Sequence, residues 1–347
     1  MRRTSPLQSF AWGTATLAAV SVPALAADPV ADFYAGKTIT IVVSTVPGGT
    51  YDAHARLLAR HLPKYMPGHP SIVVQNMAGA GGMVAANHLY NVAAKDGLVV
   101  GSIQANVPFE PFYGNTQAQF DAKKFNWLSS PAKETRVFML WHAVPVNTIE
   151  EAQKRELVMG ATGVNSTPAL YARVFQAVLG LKIKLIAGYP SQIEALAAME
   201  KGENDGFPSP SLSSLMVTNP DWVEKKMVKF LFQYGAEPHP SIPDVPYVFD
   251  RIADPETRTV ARMAAASEAI SRPLLLPPGV PAERVAAMRT AIMAAYKDPD
   301  YKGECAKQRM DCDSPTTAPE MDEIVERTYS APPRIRERLI EMYRTGK

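Results

Sequence analysis

From residue 36 onward, short apolar runs rich in β-branched residues alternate with longer stretches in which apolar residues recur at helical spacing. The first part of the chain predicts strands at 37–44, 71–75 and 98–104 and helices at 51–66 and 83–93. This strand-helix-strand-helix-strand order favours a parallel sheet with right-handed crossovers. Ligands of such sheets bind beyond the carboxyl ends of the strands, so the turns at that edge are the first candidates for a site.

The same alternation restarts after Pro131 and predicts a second α/β domain. Its predicted elements are strands at 136–143, 156–161, 182–187 and 227–234 and helices at 167–179 and 191–201. The last part of the chain predicts helices at 255–267, 281–297, 319–329 and 332–344, with one strand at 270–276 that returns to the first sheet. We therefore predict a discontinuous first domain, 27–130 plus 240–347, and a second domain, 131–239, joined by more than one crossing as in a hinged binding protein.

Two glycine-rich turns follow the first two predicted strands and precede predicted helices. They read Val-Pro-Gly-Gly-Thr-Tyr-Asp at 46–52 and Asn-Met-Ala-Gly-Ala-Gly-Gly at 76–82. Glycine lets the backbone approach a ligand and take positive φ, which is expected at Gly49 and Gly79. The free N–H groups and the dipole of each helix start favour an anion. Side by side, the turns would form a socket for a carboxylate; the alternative is that they are ordinary strand-to-helix turns.

Two further segments are expected at the carboxyl edges of the sheets. Residues 104–106 follow the third strand, and the turn 161–167 leads from strand to helix in the second domain. Ser166 or Thr167 can cap that helix, and capping alone explains this turn as well as ligand contact does. Asp52 lies in a first helical turn, where the dipole favours an acid, and we expect it to face the N–H groups of its own helix.

The first 26 residues have the pattern of a secretory signal peptide. Arg2 and Arg3 precede the apolar stretch 10–22, and Ala24-Leu25-Ala26 offers a small-x-small cleavage site. Because this segment holds two of the 36 basic residues and no acid, cleavage would leave 34 basic and 34 acidic residues. A formally neutral chain argues against nucleic acid or an anionic membrane as the main partner. The mature protein is expected to be exported, soluble and monomeric.

The sequence shows none of the motifs that indicate catalysis or a metal site. A Gly-x-Ser-x-Gly elbow, a His-Glu-x-x-His pair and a P-loop are all absent, and the six histidines are scattered. We expect no cofactor, no metal and no enzymatic activity. On one continuous helix the Cα atoms of Cys305 and Cys312 would lie about 10.5 Å apart, so a disulfide requires the helix to end between them, near 309–311. Both arrangements stay open.

The motifs, taken in order, resemble those of the periplasmic solute-binding receptors of tripartite tricarboxylate transporters, also called Bug proteins. They are Phe-Tyr-Ala-Gly-Lys at 33–37, the two glycine turns, Lys-Asp-Gly at 95–97, Gly-Glu-Asn-Asp-Gly at 202–206, Pro-Asp-Val-Pro at 243–246 and Pro-Pro-Gly-Val-Pro at 277–281. The resemblance covers essentially the whole mature chain. The chain departs from it at 188–191, where the family often has Tyr-x-Gly, and at 207–211.

The resemblance implies an α/β fold of the two-domain periplasmic binding-protein type (type II-like), with parallel and mixed sheets and a ligand cleft between the domains. It implies a receptor that delivers a small organic carboxylate, expected to be a dicarboxylate, to integral-membrane permease subunits. The alternatives are an exported α/β enzyme acting on an organic acid or ester and a ligand-sensing subunit of a signalling system. The residues expected at the ligand are Pro47, Gly48, Gly49, Tyr51, Asp52, Asn76, Ala78, Gly79, Ala80, Gly81, Gln104, Asn106, Thr162, Gly163, Asn165, Ser166, Thr167, Tyr189 and Asp205.

Overall fold

The computed structural model describes residues 1, 28–164 and 166–345. Residues 2–26 of the predicted signal peptide and Asn165 therefore lie outside the described residues. Within the described ranges, no helix is both long enough and apolar enough to cross a lipid bilayer.

Short runs, many of them β-branched, form the strands of two separate sheets, and the strands at 126–130, 206–207 and 316–317 were not predicted from the alternating pattern. The strands are β1 Thr38–Val43, β2 Ser71–Asn76, β3 Val99–Ser102, β4 Asn126–Ser130, β5 Thr135–Trp141, β6 Glu156–Ala161, β7 Lys182–Ala187, β8 Gly206–Phe207, β9 Val228–Gly235, β10 Leu274–Leu276 and β11 Thr316–Thr317. The first sheet has the order β11-β4-β10-β3-β1-β2, and the second has the order β7-β6-β8-β5-β9.

Both sheets are mixed. In the first sheet β1 pairs in parallel with β2 and β3, whereas β10 runs antiparallel between β3 and β4. The expectation that a late strand returns to the first sheet is thus confirmed. In the second sheet β6 pairs in parallel with β7 and β8, and β5 runs antiparallel to β8 and β9. The turns after β1, β2 and β3 consequently meet at one edge of the first sheet.

The helices cover the faces of these sheets, and most begin and end at residues with local signals. Helix α5, for example, has Pro168 in its first turn and ends at Gly180, whose φ is +67°. The helices are α1 Pro29–Tyr34, α2 Thr50–His61, α3 Met83–Asn91, α4 Ile149–Ala152, α5 Thr167–Leu179, α6 Gln192–Glu200, α7 Leu212–Thr218, α8 Pro220–Glu224, α9 Pro255–Ala264, α10 Ala282–Lys297, α11 Pro299–Lys307, α12 Ala318–Tyr329 and α13 Pro333–Thr345.

The segment 240–347 divides between the two cores, which corrects the predicted domain boundary. Strand β10 and helices α10 and α11 pack in one buried cluster with β1 and α2. In contrast, another buried cluster belongs to the second sheet. It joins Phe138 and Phe232 of that sheet to Phe249, to Val260 of α9 and to Leu339 of α13. An amphipathic pattern shows that a helix has an apolar face but not which sheet that face covers. The described chain therefore crosses between the two bodies near 131–134, 265–266 and 330–332.

Cys305 and Cys312 form a disulfide, with their Cα atoms 6.3 Å apart. Helix α11 ends at Lys307, and Arg309 takes a left-handed conformation with φ +55°. The helix thus ends between the two cysteines, which is the condition that pairing requires.

Replacing Cys305 and Cys312 together by alanine should lower the free energy of unfolding by about 2.5 kcal/mol, because the bridge restrains a short loop of the unfolded chain. Urea unfolding of the oxidised protein and of the variant measures the difference. Wild-type protein kept in reductant is the matched control and should unfold like the variant. A loss below about 0.5 kcal/mol would contradict this prediction.

Candidate ligand-binding cleft

The Asp52 carboxylate anchors the first glycine turn. Asp52 lies buried in the first turn of α2. Its Oδ2 accepts hydrogen bonds from the Gly48 N–H and from Arg56 Nε, both at 2.9 Å, and its Oδ1 accepts one from Asn76 Nδ2 at 2.9 Å. Gly48 precedes α2, so the expectation that Asp52 faces the N–H groups of its own helix is corrected, although the Arg56 side chain does lie on that helix. One carboxylate instead ties the first turn to the end of β2.

The second turn holds its backbone in a run of positive φ angles. These are +147° at Gly79, +46° at Ala80, +63° at Gly81 and +98° at Gly82. A left-handed alanine costs about 1–2 kcal/mol, and such strain persists only where the surroundings impose it. In the first turn the positive φ belongs to Gly48, at +85°, whereas Gly49 is extended with φ −80°. The expectation is therefore confirmed at Gly79 and wrong at Gly49.

The loop after β3 is hydrogen-bonded to the end of β1 and to the start of α2. Tyr51 donates its hydroxyl hydrogen to the Ser271 carbonyl at 2.8 Å and accepts from the Ala105 N–H at 3.1 Å. Ser44 Oγ accepts from the Gln104 N–H at 3.0 Å. The three turns at the carboxyl edge of the first sheet therefore form one hydrogen-bonded unit.

A cavity of about 910 Å³ opens between this unit and the start of α5. Its volume lies in the range of small-molecule sites. It brings together residues from both sheets that the sequence analysis selected. These residues are Gly81, Gln104, Asn106, Thr162, Ser166 and Thr167.

The helices that begin at this cleft lack side-chain caps. Gly49 precedes α2, Gly82 precedes α3, and neither offers a capping side chain. Ser166 precedes α5, but its hydroxyl donates to the Gly163 carbonyl at 2.7 Å and makes no capping bond. Elsewhere side chains cap α1, α4, α6, α7, α9 and α11, whereas α8 and α10 also lack a side-chain cap. Capping therefore does not explain the turn 161–167, and the dipoles of α3 and α5 are open to an anion.

The other predicted residues lie outside the lining of the cavity among the described residues. Three of them, Tyr51, Asp52 and Asn76, form hydrogen bonds that hold the turns together. Asp205 is engaged elsewhere, because its Oδ2 accepts from the Val158 N–H at 2.8 Å and its Oδ1 lies 3.6 Å from Arg155. The residues outside the lining are Pro47, Gly48, Gly49, Tyr51, Asp52, Asn76, Ala78, Gly79, Ala80, Gly163, Tyr189 and Asp205.

The outer wall of the cavity consists of residues that the sequence analysis missed. Arg173 lies on α5, and Tyr343 and Arg344 lie in the last turn of α13. Glu110 and Tyr113 face them from the loop after β3. The spacing of 166, 170 and 173 along α5 could have placed Arg173 on the face of Ser166. No local signal places α13 here.

Tyr171 connects the cavity to the crossings between the two bodies. It lines the cavity, and its hydroxyl donates to Glu268 Oε1 at 2.7 Å. Burial, and then the charge of Glu268, raise the pKa of Tyr171 well above its usual value. Glu268 Oε2 accepts from Arg136 Nε at 2.8 Å. Burial alone would lower the pKa of Arg136, but Glu268 and Glu134 raise it, so the Arg136 guanidinium stays charged.

Asp52→Asn should lower the free energy of unfolding by about 1–2 kcal/mol near pH 7, allowing for the solvent that reaches Arg56. The Arg56 hydrogen bond, opposed by partial burial and aided by Gly48 and Asn76, lowers the pKa of Asp52 to about 2. Because the folded state favours the ionised form, this stabilisation is present above about pH 4 and is lost as the pH falls towards 2.

Urea unfolding at several pH values measures the effect of Asp52→Asn. The gap to the wild type should close between about pH 4 and pH 2. Asp221→Asn is the matched control, because Asp221 pairs with Lys225 at the same i, i+4 spacing but on the surface, and it should cost below about 0.5 kcal/mol. Equal losses for the two variants would contradict the anchoring role.

Within the described residues, no group of three or more His, Cys, Asp or Glu side chains is placed to hold a metal ion. The chemistry of the cleft is accordingly that of neutral donors, helix starts and the charged side chains of the outer wall.

Comparison with known proteins places this architecture in one family. A family model described as tripartite tricarboxylate transporter family receptor matches residues 55–337. Protein BugT of Bordetella pertussis is 40% identical over 75 residues, which span only 22% of this chain and 22% of that protein.

Solved structures share the fold. A TctC solute-binding protein from Polaromonas, solved without ligand, aligns with a TM-score of 0.70 at 19% identity over 89% of this chain and 99% of that one. A Rhodopseudomonas palustris protein solved with adipate aligns with a TM-score of 0.61 at 20% identity over 88% and 97% of the two chains. Since the family model spans most of the sequence, the chain belongs to the tripartite tricarboxylate transporter family receptors, which are receptors rather than enzymes.

Proposed function

We propose that this chain is an extracytoplasmic receptor that captures a small organic dicarboxylate and delivers it to a tripartite tricarboxylate-type permease. The observation that carries the proposal is the cavity at which α3 and α5 begin without side-chain caps. Exposed N–H groups at helix starts, together with the helix dipoles, are suited to a carboxylate.

The proposed carboxylate site uses donors that do not titrate near neutral pH. The amide of Gln104 and the hydroxyl of Thr162 line the cavity beside the backbone of the second turn. Lys and Arg are absent from the turns 76–82, 104–106 and 161–167. Binding should therefore persist between about pH 6 and pH 8, where the ligand's carboxylates stay ionised.

The dicarboxylate assignment draws on the family and on a relative. The family model is named for a tricarboxylate transporter, and the Rhodopseudomonas palustris relative was solved with adipate, a dicarboxylate. A permease partner follows from the family's role in transport. The outer wall adds a charge argument, because it supplies Arg173 and Arg344 to the same cavity.

A thermal-shift screen of organic acids, followed by calorimetry, tests the proposal. A true ligand at a hundredfold excess over its Kd should stabilise the protein by about 2.7 kcal/mol. Sugars and amines of similar size are the matched controls and should leave the melting temperature unchanged. Stabilisation by these controls but by no acid would overturn the carboxylate assignment, and turnover of a bound acid would overturn the receptor role.

Delivery and export need separate experiments. Cells that carry the permease should take up labelled ligand only when this chain is present. Protein recovered from the periplasm should have an intact mass that begins near Ala27, because Ala24-Leu25-Ala26 forms the proposed cleavage site. Recovery of the protein with residues 1–26 attached would contradict cleavage.

A further inference from the structure

The side chains that α5 contributes to the cavity wall change from neutral to cationic along the helix. Thr167 stands at the start of α5, where the helix dipole favours an anion. Arg173 follows six residues later, about 9 Å further along the helix axis. The same cavity thus contains a neutral end built from turns and a cationic region built around Arg173.

The Arg173 side chain is held in place by α13, and none of the described residues neutralises its charge. Its Nη1 donates to the Tyr343 carbonyl at 3.1 Å, an acceptor in the last turn of α13. The Tyr343 hydroxyl contacts the Tyr113 hydroxyl at 3.2 Å and donates to the Ala264 carbonyl at 3.2 Å, so two hydrogen bonds hold the residue that supplies this acceptor. Among the described residues, no acidic side chain lies within ion-pair distance of Arg173. One hydrogen bond uses one of the five N–H donors of a guanidinium.

Within the described part of the chain, the one acidic side chain in the cavity lining, Glu110, already accepts hydrogen bonds from two side-chain amides. Glu110 Oε1 accepts from Asn106 Nδ2 at 3.0 Å, and its Oε2 accepts from Asn115 Nδ2 at 2.9 Å. Leaving a partly buried guanidinium without an anion is unfavourable, whereas a carboxylate can bind it through two parallel hydrogen bonds. Among its described residues, the outer wall carries two guanidinium groups, of Arg173 and Arg344, against the single carboxylate of Glu110, so its net charge is positive and suited to an anion supplied by a ligand.

We infer that Arg173 is the specificity-determining residue of this cleft and binds the second anionic group of a linear dianionic ligand, whose first carboxylate lies at the turns. This inference rests on the proposed carboxylate site and adds to it the residue that selects dianions over monoanions. The ligand class is a linear α,ω-dicarboxylate whose chain spans the space between the start of α5 and the guanidinium of Arg173.

Calorimetry with a homologous series tests the inference. The probes are linear dicarboxylates from succinate to suberate and monocarboxylates of the same carbon number. The wild type should bind its preferred dicarboxylate at least tenfold more tightly than the matched monocarboxylate. Arg173→Gln should weaken that dicarboxylate at least tenfold and change the monocarboxylate less than twofold. Arg173→Lys should be intermediate, because it keeps the charge and loses the planar fork.

Arg327→Gln is the matched control, because it removes one positive charge from an exposed position of α12 and should leave every affinity unchanged. Unchanged dicarboxylate binding by a folded Arg173→Gln would overturn the role of Arg173 and leave the carboxylate site intact. Equal weakening of both acid classes would also overturn it, since Arg173 would then act only by holding α13. If Arg173→Gln does not fold, equal wild-type affinities for the two classes overturn the inference. A wild type that binds neither class overturns this inference together with the proposed function.

Discussion

Gly81→Val is expected to weaken ligand binding about a hundredfold or more, which corresponds to about 2.7 kcal/mol, while the protein still folds. Gly81 lines the cavity, has φ +63°, and has no atom within 4 Å of where a Cβ would stand. The space beside it is the space proposed for the carboxylate, so the valine methyl groups would occupy it. Calorimetry with the tightest-binding acid measures the loss.

The control for this prediction distinguishes steric exclusion of the ligand by the valine side chain from strain in the backbone. Gly180 has φ +67°, has equally open space at its Cβ position, and ends α5 far from the cavity. Both variants should lose about 1–2 kcal/mol of stability from the left-handed conformation. Gly180→Val should bind with wild-type affinity. Wild-type affinity in a folded Gly81→Val would instead show that the carboxylate does not lie at the second turn.

Local signals predicted the frame of the site. Strand β6 and helix α5 have the predicted bounds, since a β-branched run, Pro168 and Gly180 each act over a few residues. The same holds for the two turns, because glycine after a strand and before a helix is a short-range pattern. The sequence did not show which glycine of the first turn bends. Gly48 takes positive φ because its N–H binds Asp52, and that bond depends on the position of α2.

Local sequence patterns could not predict which residues form the outer wall. Arg173 becomes part of the cleft only because α13 packs on α5 and brings the Tyr343 carbonyl to the guanidinium. That contact joins residues 170 positions apart. The amphipathic pattern of α13 is equally compatible with either sheet, and for this reason the predicted boundary assigned it to the first domain. Residues that set specificity were therefore less predictable than residues that build the frame.

His54 should make the free energy of unfolding fall by about 1.4 kcal/mol for each pH unit below about 6.5. The side chain is 5% exposed on α2, and its Nδ1 has no hydrogen-bond partner among the described residues. It lines a cavity of about 10 Å³ together with Arg272, Tyr296 and Tyr301. Burial, and then the charge of Arg272, lower the pKa of His54 to about 3.

The sign of the effect follows from the direction of this shift. The unfolded chain takes up a proton at His54 near pH 6.5, whereas the folded chain takes it up only near pH 3. Between these values acid favours the unfolded state, so stability is fully present above about pH 6.5 and is lost as the pH falls. Above about pH 4 this effect is separate from that of Asp52, whose contribution changes only below that pH.

Urea unfolding of the wild type and of His54→Gln between about pH 6.5 and pH 4.5 separates the histidine from the acids. The wild type should lose about 2–2.5 kcal/mol more than the variant over this interval, because glutamine fills similar space and does not titrate. His142→Gln is the matched control, since His142 is exposed at the end of β5, and it should keep the wild-type slope. Parallel curves for the wild type and His54→Gln would mean that the folded protein accommodates a charged imidazole beside Arg272. The small cavity there would then have to hold water that screens the two charges, since in a dry cavity their repulsion would oppose protonation.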